Sequence, residues 1–133
     1  MIVTFFDVED SSNELNGAAV QEKVRLLQIL DSLQARPPFF CELVGENRFE
    51  LLVGVGAEGC VQYGRRDGST GYLMAIAPNR ELKSGDTEFL IGGTATPISN
   101  RFLIPFSSVR EIAAHFLETG RTHPAFLWVS PFD

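Results

Sequence analysis

Residues 39–76 read FFCELVGENRFELLVGVGAEGCVQYGRRDGSTGYLMAI, and the fold class turns on this stretch. Apolar runs of strand length alternate with clusters of Gly, Asp and Asn, which is the pattern of a meander. Phe49, Leu51, Val53 and Val55 stand two residues apart and so share one face of a strand. Val61 and Tyr63 follow the turn Gly56-Ala57-Glu58-Gly59, and Tyr72, Met74 and Ile76 follow Arg65-Arg66-Asp67-Gly68. Connections this short cannot hold a crossover helix, so neighbouring strands are expected to pair antiparallel. With Phe39–Leu43 before them, and Phe89 and Ile91 after the polar loop Pro78–Gly85, five or six strands result.

Upstream, Ile2–Phe6 is β-branched and aromatic and reads as a strand. Ser11–Asn16 is a polar connection into a helix expected over Gly17–Ala35, which Pro37 and Pro38 stop. Val20, Val24 and Leu27 fall on one side of it. Leu26, Ile29, Leu30 and Leu33 widen the apolar arc beyond half the cylinder, so the helix should be covered on two sides. Downstream, Ser108-Val109-Arg110-Glu111 fits a capping box. Val109, Ile112, Ala113, Phe116 and Leu117 then form a stripe, and Gly120 ends the helix. Phe126–Val129 closes the chain as a strand, with Trp128 expected in the core beside Val109, Ile112 and Phe116. The expectation is an α+β domain spanning 1–133: a central antiparallel sheet of about six strands with two main helices packed against it.

Of 133 residues 44% are apolar and 21% charged, a balance that can bury enough surface to fold and argues against disorder. No apolar run approaches the roughly 20 residues of a membrane helix, so a cytoplasmic protein is expected. The 17 acids and 11 bases leave a net charge of −6, which disfavours nucleic acid as a partner. Asp7, Glu9, Asp10, Glu14 and Glu22 lie in the first 22 residues, where there is no Lys or Arg, so a basic partner would be drawn to that side.

Chemistry-bearing motifs are sparse. Cys41 and Cys60 each sit in a strand-like run and read as buried free thiols rather than a disulfide. Gly54-Val55-Gly56-Ala57-Glu58-Gly59 spells a dinucleotide loop, but Cys60–Gly64 continues as strand where a phosphate site needs a helix N-terminus, so a hairpin turn is expected. His115 lies on a helix without paired-histidine spacing and His123 in the loop Arg121–Pro124. Glu42 and Glu50 could face each other across a hairpin, which is more often a solvated edge than an acid/base pair. No catalytic set, metal site or cofactor is expected, and a compact acidic domain without one is most naturally a protein binder.

Gly92-Gly93-Thr94-Ala95-Thr96-Pro97-Ile98, Leu103-Ile104-Pro105, Phe116-Leu117-Glu118-Thr119-Gly120-Arg121, Pro124 and Trp128 together carry a resemblance. In that order they resemble the first immunity-protein family of bacterial polymorphic toxin systems, over roughly Phe49 to Val129. Leu51–Gly56, Tyr63 and Gly71 are also similar, whereas Thr122-His123 lengthens the usual step between Gly120 and Pro124. The resemblance implies a cytoplasmic immunity protein, not an enzyme, that neutralises a toxin encoded beside it, in this family often a nucleic-acid deaminase. Two other classes stand beside it: a regulatory or scaffolding domain of the same fold, and a small enzyme or ligand binder using Cys60, His115 or His123, which would need a deep apolar pocket. For a toxin interface the candidates are Asp7, Glu9, Asp10 and Glu14 by charge, then Glu58, Arg65, Arg66 and Asp67 on exposed turns.

Overall fold

In a computed structural model describing residues 1–78 and 83–131, the meander forms the centre of the sheet. Strands β1 (Val3–Phe6), β2 (Ala18–Val20), β3 (Phe39–Gly45), β4 (Phe49–Val55), β5 (Glu58–Arg65), β6 (Tyr72–Ile76) and β10 (Leu127–Val129) lie in the order β10-β6-β5-β4-β3-β1-β2. Every pair along that path is antiparallel, as the short turns require for β3 to β6. Off the path are β7 (Asp86–Ile91), β8 (Thr94–Ser99) and β9 (Ile104–Pro105), so the sheet has ten strands among the described residues where about six were expected. The excess comes from short pieces with weak local signals. Thr94–Ser99 contains Pro97, yet β8 pairs only β7, and an edge strand tolerates a missing N–H.

Continuous antiparallel pairing through Ile91 does not hold. β7 leaves the meander and meets β3 in parallel at Phe39↔Leu90. It takes the place beside β3 that β1 vacates, because β1 pairs no further than Phe6↔Glu42. The loop Pro78–Gly85 falls partly outside the described residues.

Both helices are shifted from their expected bounds. α1 spans Lys23–Leu33, because Ala18–Val20 pairs with β1 as a strand. α2 spans Phe106–Thr119, one turn earlier than the capping box implied: Pro105 is the N-cap and no side chain caps it. Ile104 and Pro105 are held against Gly59 and Glu58 of β5, and this short pairing turns the chain into the helix before Ser108. Gly120 does end α2, left-handed at φ 72°.

Alternation divides the sheet into two faces. Leu26, Ile29, Leu30 and Leu33 of α1 and Val109, Ile112, Ala113 and Phe116 of α2 are buried against Val3, Phe5, Cys41, Leu43, Leu51, Val53 and Val61. On the opposite face a smaller cluster joins Phe40, Cys60 and Met74 to Phe89 of β7 and to Phe102 and Leu103. Trp128 is only half-buried, correcting the expectation that it is core: β10 is an edge strand, and the indole packs at the rim of the larger cluster. Its Nε1 donates to the His123 carbonyl at 2.9 Å.

The glycines of the dinucleotide-like stretch are explained by packing. A Cβ on Gly59 would clash with the Gly54 carbonyl oxygen and stand 2.9 Å from Val109 Cγ2, so glycine lets α2 lie against β5. Cys60 continues the strand as expected of a hairpin.

Candidate functional site

The acidic segment is the connection between β1 and β2, and its four candidates do different things. Asp7 is 1% exposed. Its Oδ1 accepts the amides of Glu9 and Asp10, each at 3.1 Å, and its Oδ2 accepts Asn13 Nδ2 at 3.0 Å and an ion pair from Arg36. Burial pushes the carboxyl upward in pKa, but Arg36, Asn13 and the backbone outweigh it and hold the group below its ordinary value. Asp7 is therefore an internal organiser of the loop, and the expectation of an exposed contact does not fit it. Glu9 reaches the tip of the β7–β8 hairpin, where its Oε2 accepts the Gly93 amide at 2.8 Å. Asp10 is half-buried and caps a turn through Ser12, while Glu14 is exposed.

The other four candidates divide between two places. Glu58 begins β5 beside β9 and pairs with Lys83 at 2.9 Å, whereas Arg65, Arg66 and Asp67 stand at the far end of β5. Asp67 is exposed, and its carboxylate is held below its ordinary pKa by hydrogen bonds from Ser69. Arg65 Nε stands 3.6 Å from Asp67 Oδ1. Arg66 instead leans back over the helix-free face: its Nη1 donates to Glu42 Oε1 at 2.6 Å and Glu50 Oε2 at 2.8 Å, with its guanidinium 5.6 Å from the Phe6 ring centroid. Glu42 and Glu50 do come together, as a carboxylate pair bridged by one arginine. Phe6, Val44, Leu52 and Gln62 surround it, all half-buried.

Sequence reasoning assigned no binding role to this patch, although a signal was present. A single Glu within each of the apolar runs 39–45 and 49–55 marks a position whose face cannot be fully covered.

Charge is distributed unequally about the sheet. On and beside the helices, Lys23, Arg25, Arg110 and Arg121 balance Glu22, Asp31, Glu111 and Glu118. The β1–β2 connection holds Asp7, Glu9, Asp10 and Glu14 against Arg36, and the sheet face holds Glu42 and Glu50 against Arg66. Asp86 and Glu88 on β7 are exposed. The negative excess thus belongs to the sheet side.

Cys41 and Cys60 are free and buried, and burial pushes the Cys41 thiol up to about 12 and that of Cys60 higher still, far from a nucleophile's range. His115 and His123 are neighbours, with ring centroids 4.8 Å apart. Burial and the second imidazole lower the pKa of His115, while His123 Nδ1 accepts the Ala125 amide. Both line a groove of about 780 Å³ between the helices. Lys23, Arg110, Glu111 and Glu118 also line it, so it is not the apolar pocket a small-ligand reading needs. No helix of the described residues is long and apolar enough to cross a membrane.

The family model described as Immunity protein Imm1 matches residues 8–130. A comparison with curated proteins finds no match.

Proposed function

The chain belongs to the Imm1 immunity protein family, and from that premise we propose that it binds and neutralises one cognate toxin of a bacterial polymorphic toxin system, in the cytoplasm and without turnover. The family match over residues 8–130 carries this reading, and the charge distribution agrees with it. A toxin that handles nucleic acid needs a basic cleft, and an acidic partner gains steering toward it. A nucleic-acid deaminase is the toxin class we favour, inhibited by steric occlusion of its substrate cleft. Glu9, Asp10, Glu14, Glu58, Arg65, Arg66 and Asp67 are retained as interface candidates, with Asp7 shaping the loop that presents the first three.

Co-expression with the toxin domain encoded beside it tests the reading. Growth should be rescued and the two proteins should co-purify with a nanomolar or tighter Kd, as roughly −12 kcal/mol of binding would give. Adding the protein to the purified toxin should abolish base conversion on a nucleic-acid substrate. Failure to rescue or to bind would end the immunity reading. Rescue of a toxin that cleaves nucleic acid instead of deaminating it would end only the deaminase part.

A further inference from the structure

The two faces of the sheet are finished differently. α1 and α2 cover one face from β1 to β6. On the other, the small cluster around Phe89 and Phe102 covers Phe40, Cys60 and Met74 and reaches Leu52 and Tyr72. Beyond it the face carries Phe6, Glu42, Val44 and Glu50, all half-buried, with the Arg66 side chain over the two carboxylates.

Resting on the immunity reading, we propose that this uncovered half-face is where the toxin docks, and that it receives a cationic side chain from a basic toxin surface against the Glu42–Glu50 pair. Three observations point to it. The two carboxylates keep only 22% and 17% of their side chains exposed, so much of their desolvation is already accomplished before a partner arrives. Arg66 engages one oxygen of each carboxylate through a single nitrogen, which leaves the local charge at −1 and holds both groups in place for a second cation. Phe6 and Val44 beside them are half-buried, which leaves apolar area next to the charge for an anchor residue to cover. The helix side has no such excess, since its charges balance.

Binding of the inactivated neighbouring toxin domain to three variants tests the site. Glu42→Gln/Glu50→Gln should weaken the complex by about tenfold or more. Gln62→Arg, which places a second cation beside the same carboxylates and so occupies the position proposed for the toxin's cation, should do the same. Glu111→Gln/Glu118→Gln on α2 should change affinity less than about twofold. Circular dichroism and thermal melts would show that each is folded. Loss only with the α2 variant, or none with the two sheet-face variants, would overturn the proposal. A short oligoarginine peptide, followed by amide chemical shifts of the wild type, provides a second arm that does not need the toxin. Shifts centred on Phe6, Glu42, Glu50 and Arg66 support the site even if the neighbouring toxin fails to bind. Shifts centred on α1 and α2 overturn it.

Discussion

Asp7 shows how one buried carboxylate organises a loop that otherwise has little to hold it. Its two oxygens gather the Glu9 and Asp10 amides, the Asn13 amide group and the Arg36 guanidinium, which itself stacks 3.9 Å from the Phe39 ring centroid. Removing the guanidinium leaves a buried charge uncompensated, so Arg36→Ala should cost about 3 kcal/mol in denaturant melts. The pH dependence follows from the lowered pKa of Asp7. A carboxyl held below its unfolded value contributes stability that is fully present above that value, about pH 4, and is lost as pH falls through the folded value. Asp7→Asn should therefore be less stable than wild type at pH 7 and should show a flatter loss of stability below about pH 4. Parallel acid limbs for the two proteins would mean that Asp7 does not carry the linkage.

Among the elements, α2 buries six apolar residues, and two substitutions probe its seat. Phe116 is fully buried and meets the Tyr63 ring edge-on at a centroid distance of 6.1 Å, so Phe116→Ala should lose roughly 3 to 5 kcal/mol. Gly59→Ala should cost about 2 kcal/mol, because the added methyl must push α2 or β4 away. Gly68 has φ 75° but open space around it, so Gly68→Ala should cost only the left-handed strain, about 1 kcal/mol. Equal losses at the two glycines would contradict the close approach of α2. The apolar stripe of α2 was legible because side chains at 3.6-residue spacing report burial directly. The start of the helix was not. Ser108 and Glu111 have the spelling of a cap, but the pairing of Ile104 and Pro105 with β5 is a long-range contact that no local pattern contains. Ala18–Val20 failed for the same reason: three small apolar residues suit either structure, and pairing with β1 decides. The acidic segment was visible as charge, whereas the inward turn of Asp7 depends on Arg36, 29 residues away. Glu42 and Glu50 were visible as a pair. Their bridging by Arg66 depends on the turn after β5 folding back over the sheet.

At the scale of the whole molecule, the separation of a balanced helix side from a negative sheet side has kinetic consequences. A protein that must capture a toxin gains from fast association, and long-range attraction raises the on-rate above the roughly 10⁵–10⁶ M⁻¹s⁻¹ expected for neutral partners. Charges at the edge of an interface contribute to that rate, because they act at distance and remain hydrated in the complex. Glu9, Asp10 and Glu14 are such charges on the β1–β2 connection, adjoining the edge of the sheet face at Phe6, while Glu42 and Glu50 lie within it. The two groups should therefore separate in a stopped-flow experiment with the cognate toxin. Glu9→Gln/Asp10→Asn/Glu14→Gln should slow association by roughly three- to tenfold at low salt and flatten its ionic-strength dependence, with little change in dissociation. Asp7 stays native in this variant so that the loop keeps its organiser. Glu42→Gln/Glu50→Gln should chiefly speed dissociation, since a short-range, partly desolvated contact is lost only after docking. An unchanged association rate and salt slope in the triple variant would remove the β1–β2 connection from the steering field. If dissociation also stayed unchanged in the double variant, the negative side of the molecule would serve solubility rather than recognition.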